Sequence, residues 1–208
     1  MSDIDIIRKS FAYLGTETID QLLETGIIQT IPKGTKILRE GQYVKVVPLV
    51  IEGLIKVYTK QDDKELLLYY IQPKESCIMS FSSSLSNDPS KVYAVTESET
   101  KALLLPATEM NKWIKQFPNL NNLFFGMFKL RYADLLDTIN HIIFNKLDQR
   151  ILFYLKDKSE LTNSKVIHIT HKQIASELGT AREVVSRILK KLEKEGLVMQ
   201  LQEGVKLL

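Results

Sequence analysis

The stretch Thr170–Gly196 constrains this chain more than any other, because it spells a helix, a tight turn and a second, basic helix. Thr170-His171-Lys172-Gln173-Ile174-Ala175-Ser176-Glu177-Leu178 opens on a good N-cap, and Gln173 stands where a capping-box partner reaches back to it. Gly179 supplies the turn, since glycine takes a left-handed backbone without strain. Thr180-Ala181-Arg182-Glu183 reads as a second capping box, opening a helix that runs to about Glu195. Small Ala175 and Gly179 and apolar Val185 are spaced as two closely crossing helices of a helix-turn-helix require. The pattern is that of a module that reads DNA.

The second helix has two faces. Val185, Ile188, Leu189 and Leu192 recur at helical spacing and are expected to pack inward. Arg182, Glu183, Ser186, Arg187 and Lys190 fall on the other side, near the end that enters the major groove in this motif. Arginine grips guanine through O6 and N7, and glutamate accepts from the amino group of cytosine. Ser186 and Lys190 suit phosphate or weak base contacts. Thr170, His171 and Thr180, at the two helix starts, complete the expected DNA-contacting set, with His171 near phosphate. After Gly196, apolar and polar residues roughly alternate to Leu208, with Glu203-Gly204 as the turn of a hairpin. Two readings fit that hairpin: the wing of a winged helix, with Lys206 as its cation, or a simple stabilising ribbon.

Charge agrees with this placement. The chain has 28 basic and 25 acidic side chains, a net charge of +3. Residues 1–146 hold 17 of each sign, whereas residues 147–208 hold 11 basic and 8 acidic, so the whole excess travels with the helix-turn-helix. No apolar run reaches the ~18–20 residues that span a membrane, and Met1-Ser2-Asp3-Ile4-Asp5 lacks the basic start of a signal peptide. A single cysteine excludes an internal disulfide framework. The expected location is the cytoplasm, and no membrane partner is expected.

With 208 residues, the chain has room for a second core beyond the DNA-reading module. The first thirty residues read as helical, with Ile4, Ile7, Phe11 and Leu14 on one face. From Ile31 to about Pro106 short β segments follow: Thr35–Leu38, Leu49–Ile51, Leu54–Tyr58, Glu65–Ile71, Val92–Val95 and Ala102–Leu105. Gly34, Gly41, Gly53 and the Asp62-Asp63 pair punctuate them, as in an antiparallel roll or barrel. A long helix then runs from about Pro118 to Asn145. Leu123, Met127 and Leu130 make one stripe on it, and Phe124, Phe128, Leu135, Ile139 and Ile142 an adjacent one. So wide an apolar surface suggests one stripe on the roll and another on a partner helix, hence a homodimer through residues 118–145, with a simple core helix as the other reading. Leu147-Asp148-Gln149-Arg150 starts the DNA-binding domain, with Ile151, Leu152 and Leu155 as its first core residues.

This layout resembles the CRP/FNR superfamily of bacterial transcription regulators over essentially the whole chain. The most specific matches are Pro32-Lys33-Gly34-Thr35-Lys36-Ile37-Leu38-Arg39-Glu40-Gly41, Ile51-Glu52-Gly53-Leu54-Ile55-Lys56-Val57-Tyr58 and Arg182-Glu183-Val184-Val185-Ser186-Arg187-Ile188-Leu189. The resemblance implies an α+β chain in three parts. Residues 1–117 form an N-terminal antiparallel β-roll of the double-stranded β-helix or jelly-roll kind, a cyclic-nucleotide-binding-like sensor preceded by helices. Residues 118–145 form a dimerisation helix, and residues 146–208 a C-terminal winged helix-turn-helix. It also implies that Arg182, Glu183 and Arg187 read a TGTGA-like half-site of a palindromic operator in double-stranded DNA, with Ser186 as the variant of the FNR-like branch. RNA polymerase stands as a further partner that the resemblance allows.

The family pattern breaks at the effector. Cyclic-nucleotide-binding members carry a Gly-Glu pair and then an Arg-Ser or Arg-Thr pair around the phosphate. Here Ile78 and Met79, followed by Ser80, fall near the first pair, and Ser90-Lys91 near the second. Lys91 lacks the planar fork of arginine. Leu135 and Leu136 occupy the helix positions that would bond adenine. The expectation is therefore a regulator that does not depend on cAMP, with no cofactor and its effector unidentified. The alternative is a cyclic-nucleotide-responsive regulator or signalling module with a divergent phosphate cassette. An iron–sulfur sensor needs about four thiolates, and Cys77 stands alone, read as a small buried residue with a redox thiol as the remote alternative. For haem ligation, His141 lies late in the long helix and His168 in the DNA module, both read as ordinary polar or packing residues. Ser82-Ser83-Ser84 reads as a loop, with the binding of a polar ligand as the other reading. There is no nucleophile–base–orienter set, no metal-ligand cluster and no phosphate loop, so no catalytic residues and no enzyme are expected.

Overall fold

The structure is a computed structural model that describes residues 2–61, 64–144 and 146–208, without the side chains of Lys64 and residues 140–144. In chain order its elements are α1 (Asp3–Ser10), α2 (Thr16–Thr25), β1 (Ile27–Ile31), β2 (Lys36–Leu38), β3 (Val46–Glu52), β4 (Ile55–Gln61) and β5 (Lys64–Ile71). Then come α3 (Ile78–Ser86), β6 (Tyr93–Thr96), β7 (Thr100–Pro106), α4 (Met110–Gln116) and the long α5 (Pro118–Phe144). The remainder is α6 (Leu147–Thr162), β8 (Val166–Ile167), α7 (His171–Glu177), α8 (Arg182–Lys194), β9 (Val198–Leu201) and β10 (Gly204–Leu207). No helix among the described residues is long and apolar enough to cross a membrane. The Asp62-Asp63 turn, the end of the long helix at Asn145 and the side chains of His141 and Ile142 lie outside the described residues.

Two compact units result, one comprising the chain up to Thr59 with Leu68–Asp134, the other Lys60–Leu67 with Leu135–Leu208. In the first, a three-stranded sheet in the order β1-β7-β3 and a four-stranded sheet in the order β2-β6-β4-β5 form the antiparallel roll. β3 shows why its sequence is apolar without alternation. Val47, Leu49 and Ile51 pack under the helices with Leu103 and Leu105 of β7, while Val50 points into the roll with Leu38, Ile55, Val57, Ile71 and Ala94. Both faces of that sheet are covered, so both parities of the strand are buried.

The amino-terminal expectation holds in part. Ile7, Phe11 and Leu14 are buried, but Ile4 is exposed, and the helical run ends earlier than expected. Ile27–Ile31 is β1, paired antiparallel with Leu104–Thr100 of β7, because its β-branched residues complete the edge of that sheet. Ser82-Ser83-Ser84 is likewise not a loop but lies within α3, whose Ile78 and Phe81 are anchored in the helical core; Asn87, in a left-handed conformation, ends the helix.

α5 is fixed to the first unit by an apolar seam and a polar clamp. Leu123, Phe124 and Met127 are buried, and Phe124 stacks on Phe81 of α3 with ring centroids 3.5 Å apart. The Ser76 amide donates to the Met127 sulfur at 3.3 Å. One turn further on, the Arg131 guanidinium donates to the Tyr70 carbonyl at 2.9 Å and to Glu75 at 2.9 Å. It also pairs with Asp134 at 3.0 Å and lies 4.6 Å from the Tyr69 ring centroid. The seam differs from the expected division: Phe124 belongs to the inner stripe, and Leu130 is exposed. The outward face carries Phe125, Phe128, Tyr132, Leu135 and Ile139 at alternating spacings of three and four.

In the second unit, α6, α7 and α8 enclose a core of Ile151, Tyr154, Leu155, Ile174, Ala175, Val185, Leu189 and Leu192, with Val198 and Val205 from the strands. Its sheet has the order β8-β10-β9. Leu66, in the tip of the β4–β5 hairpin, makes an antiparallel bridge with Leu178, and the neighbouring Leu67 packs on this core. The hairpin turn is Gln202-Glu203, one residue earlier than expected, and Gly204 opens β10. The reason is close approach: a Cβ on Gly204 would stand 2.1 Å from the Ile167 carbonyl oxygen. Gly204→Ala is therefore expected to part β8 from β10 and cost about 2–4 kcal/mol, read by urea denaturation. An unchanged midpoint would mean the ribbon yields freely.

Candidate DNA-reading face

The helix-turn-helix is built by capping and turn chemistry. Thr170 caps α7, its hydroxyl accepting from the Gln173 amide at 3.2 Å while the Gln173 side chain accepts from the Thr170 amide at 2.8 Å. Gly179 adopts φ +65°, and the Thr180 amide donates back to the Ala175 carbonyl at 2.8 Å. That bond closes the end of α7 and alters the expected start of α8. Thr180 is not its cap: Ala181 holds the cap position in extended conformation without a side-chain bond, and the expected Thr180/Glu183 box is absent. Glu183 is consequently left uncommitted.

α8 separates its residues as its periodicity demands. Val185, Leu189 and Leu192 are buried and Ile188 packs beside them. Arg182, Glu183, Arg187 and Lys190 are exposed, and among the described residues their side chains form no hydrogen bond or ion pair. With Ser186, Lys191 and Lys194 they line one open depression along the helix. Lys191 is occupied, paired with Asp148 of α6 at 2.5 Å and with Glu195 at 3.8 Å. That contact holds the Asp148 carboxyl below the usual carboxylate range and raises the Lys191 ammonium. Arg150, also on the first turn of α6, donates to the Leu178 carbonyl in the turn at 3.1 Å. Beneath α7, the Tyr154 hydroxyl donates to the Glu177 carboxylate at 2.7 Å, and Lys158 stands 3.7 Å from that carboxylate. The uncommitted cations and Glu183 are therefore held on a rigid, internally bonded support.

Ser186 and His171 differ from the rest of the expected set. The Ser186 hydroxyl donates to the Arg182 carbonyl at 3.0 Å, and its oxygen lies 2.8 Å from His171 Nδ1. Ser186 is thus engaged within the module rather than free on its surface. Thr180 is half-buried behind the turn, His168 is exposed, and Lys206 is half-buried in β10.

The expected effector residues scatter. Ile78 is in the helical core, Met79 packs toward the interior of the roll, and Ser80 is buried, its amide donating to Cys77 Sγ at 3.4 Å. The Ser90 hydroxyl is spent locally, donating to the Val92 carbonyl at 2.9 Å and accepting from the Val92 amide at 3.2 Å. Lys91 is exposed on the same turn, and Leu135 and Leu136 are exposed on α5. Burial pushes the Cys77 thiol up, which keeps it protonated and unreactive. Sequence reasoning missed Arg131, and the available signal was an arginine interrupting an otherwise apolar helix.

Residues 28–117 match the model of the cyclic nucleotide-binding domain, and residues 149–208 match that of the Crp-like helix-turn-helix domain. The chain is a CRP/FNR-type transcription regulator. Among curated proteins, this regulator is 27% identical over 191 residues to the cyclic AMP receptor protein of Thermus thermophilus, covering 90% of this chain and 87% of that protein. Among solved structures it is similar to a CRP/FNR-family transcriptional regulator from Eubacterium rectale, with a TM-score of 0.83 and 26% identity over 93% of this chain and 90% of that one. The c-di-GMP-responsive regulator CLP of Xanthomonas campestris shares the fold, with a TM-score of 0.81 and 20% identity over 92% of this chain and 98% of that one. The regulator has the α+β architecture of the family: antiparallel sheets, a long helix and a carboxy-terminal helix-turn-helix.

Proposed function

We propose that this regulator binds a palindromic TGTGA-like operator as a homodimer joined through residues 118–145, and does so without cAMP. The observation that carries the reading is the uncommitted set Arg182, Glu183 and Arg187 at the start of α8. A bidentate arginine suits guanine and a free carboxylate suits cytosine, so the three side chains can discriminate bases and not merely attract phosphate. Thr170, His171 and Lys190 serve the backbone around them. The three-and-four spacing of Phe125, Phe128, Tyr132, Leu135 and Ile139 supports a helix–helix dimer, which sets two reading heads one DNA turn apart.

Independence from cAMP is supported by the side chains at the cassette positions. Ile78 is committed to the core, Ser90 to its own turn, and Leu135 and Leu136 offer no hydrogen bond to a purine. The match of residues 28–117 to the cyclic nucleotide-binding domain favours the second reading, a nucleotide response through a divergent cassette. The regulator acts by binding, without catalysis, in the cytoplasm, with RNA polymerase as the further partner. Fluorescence anisotropy on a palindromic TGTGA-type duplex and a scrambled control tests this. Discrimination of at least about tenfold is expected with or without cAMP. Discrimination that appears only with cAMP would establish the second reading.

A further inference from the structure

We propose that His171 takes up a proton when the regulator engages DNA, and that Ser186 imposes this by fixing the tautomer of the ring. The inference rests on the reading of α8 as the DNA-contacting face. A serine hydroxyl has one proton to give. Here it donates to the Arg182 carbonyl at 3.0 Å, the back-bond to the preceding helical turn that serine commonly makes. The Ser186 oxygen therefore receives its 2.8 Å contact from His171 as an acceptor, with the proton on Nδ1. In the neutral ring this leaves a lone pair, not an N–H, on Nε2.

That lone pair is on the wrong side of the chemistry. His171 is the first residue of α7, the helix that crosses the phosphate backbone in this motif. Phosphate oxygens only accept hydrogen bonds, so a neutral ring held in this tautomer meets them lone pair to lone pair. A proton from solvent on Nε2 converts repulsion into a charge-assisted bond and leaves the Nδ1–Ser186 bond intact. Among the described residues Nε2 has no partner and no carboxylate bonds to the ring. The ionisable groups on the elements meeting there are Lys172 and Glu177 of α7, Arg182, Glu183, Arg187 and Lys190 of α8, and Lys158 of α6. Glu177 is already committed to Tyr154 and Lys158, which leaves Glu183 as the uncommitted carboxylate among these groups.

The sign follows from linkage. Binding that takes up protons strengthens as pH falls, here by up to about tenfold per protomer for each pH unit while uptake is complete. The test is titration calorimetry of the full-length protein with the palindromic TGTGA-type duplex at pH 7.5, in two buffers of different ionisation enthalpy. Wild type is expected to take up protons on binding. His171→Gln keeps an amide donor for phosphate but cannot ionise, so uptake disappears and the pH profile flattens. Ser186→Ala releases Nδ1, letting the neutral ring carry its proton on Nε2, so uptake shrinks.

Uptake by wild type no greater than by His171→Gln overturns the proposal. Undiminished uptake by Ser186→Ala overturns the tautomer assigned to the ring. A wild-type protein that never separates the palindrome from the scrambled control, at any pH, would instead remove the DNA-face reading and this inference with it.

Discussion

Replacing Arg182 with alanine is expected to cost about 1–3 kcal/mol per half-site on the preferred operator and to relax discrimination at one base position. Two half-sites double the loss to about 2–6 kcal/mol, so the dimer should weaken by roughly thirtyfold or more, a large part of the gap between specific and non-specific binding. The fold should be unaffected, since Arg182 is exposed and its side chain supports nothing among the described residues. Competition between the operator and single-base variants gives the answer. A uniform loss across all sequences, with a salt dependence about two ions shallower for the dimer, would reduce Arg182 to a phosphate contact.

An effect of similar size should follow from the other end of the assembly. Tyr132→Glu combined with Ile139→Glu sets like charges against one another along the outward stripe of α5 while leaving Leu123, Phe124 and Met127 in place. The variant should sediment as a monomer at micromolar concentration and retain its helical content. Binding to a palindrome should fall by about a hundredfold or more, because the second half-site no longer benefits from tethering. A variant that remains a dimer would show that this stripe is not the joint.

Much of this architecture was legible in the residues, and the misses have a common physical origin. Local chemistry was read well. The Thr170/Gln173 box, the left-handed Gly179 and the inward stripe of α8 each depend on neighbours within one or two turns. What escaped was settled by partners distant in sequence. Ile27–Ile31 becomes a strand because β7, some seventy residues later, offers an open edge. Ser82–Ser84 becomes helical because Ile78 and Phe81 are drawn into the core, Phe81 onto Phe124 of α5. The start of α8 is a local exception: the Thr180 amide is taken by the Ala175 carbonyl only five residues back. Side-chain commitments were hidden for the same reason: no spacing rule announces that Ser186 faces His171, or that Arg131 meets Glu75 across more than fifty residues.

The clamp around Arg131 separates adhesion from address. Leu123, Phe124 and Met127 supply the attraction between α5 and its support, yet apolar contacts of this kind are nearly indifferent to a small rotation or slide of one cylinder on another. A guanidinium that donates to the Tyr70 carbonyl and to Glu75 on the support tolerates far less such movement, because a shift away from them leaves a largely buried charge short of partners. Arg131 thus acts as a key in a shaft. It decides which side of this stretch of α5 packs against the roll and which side is left exposed.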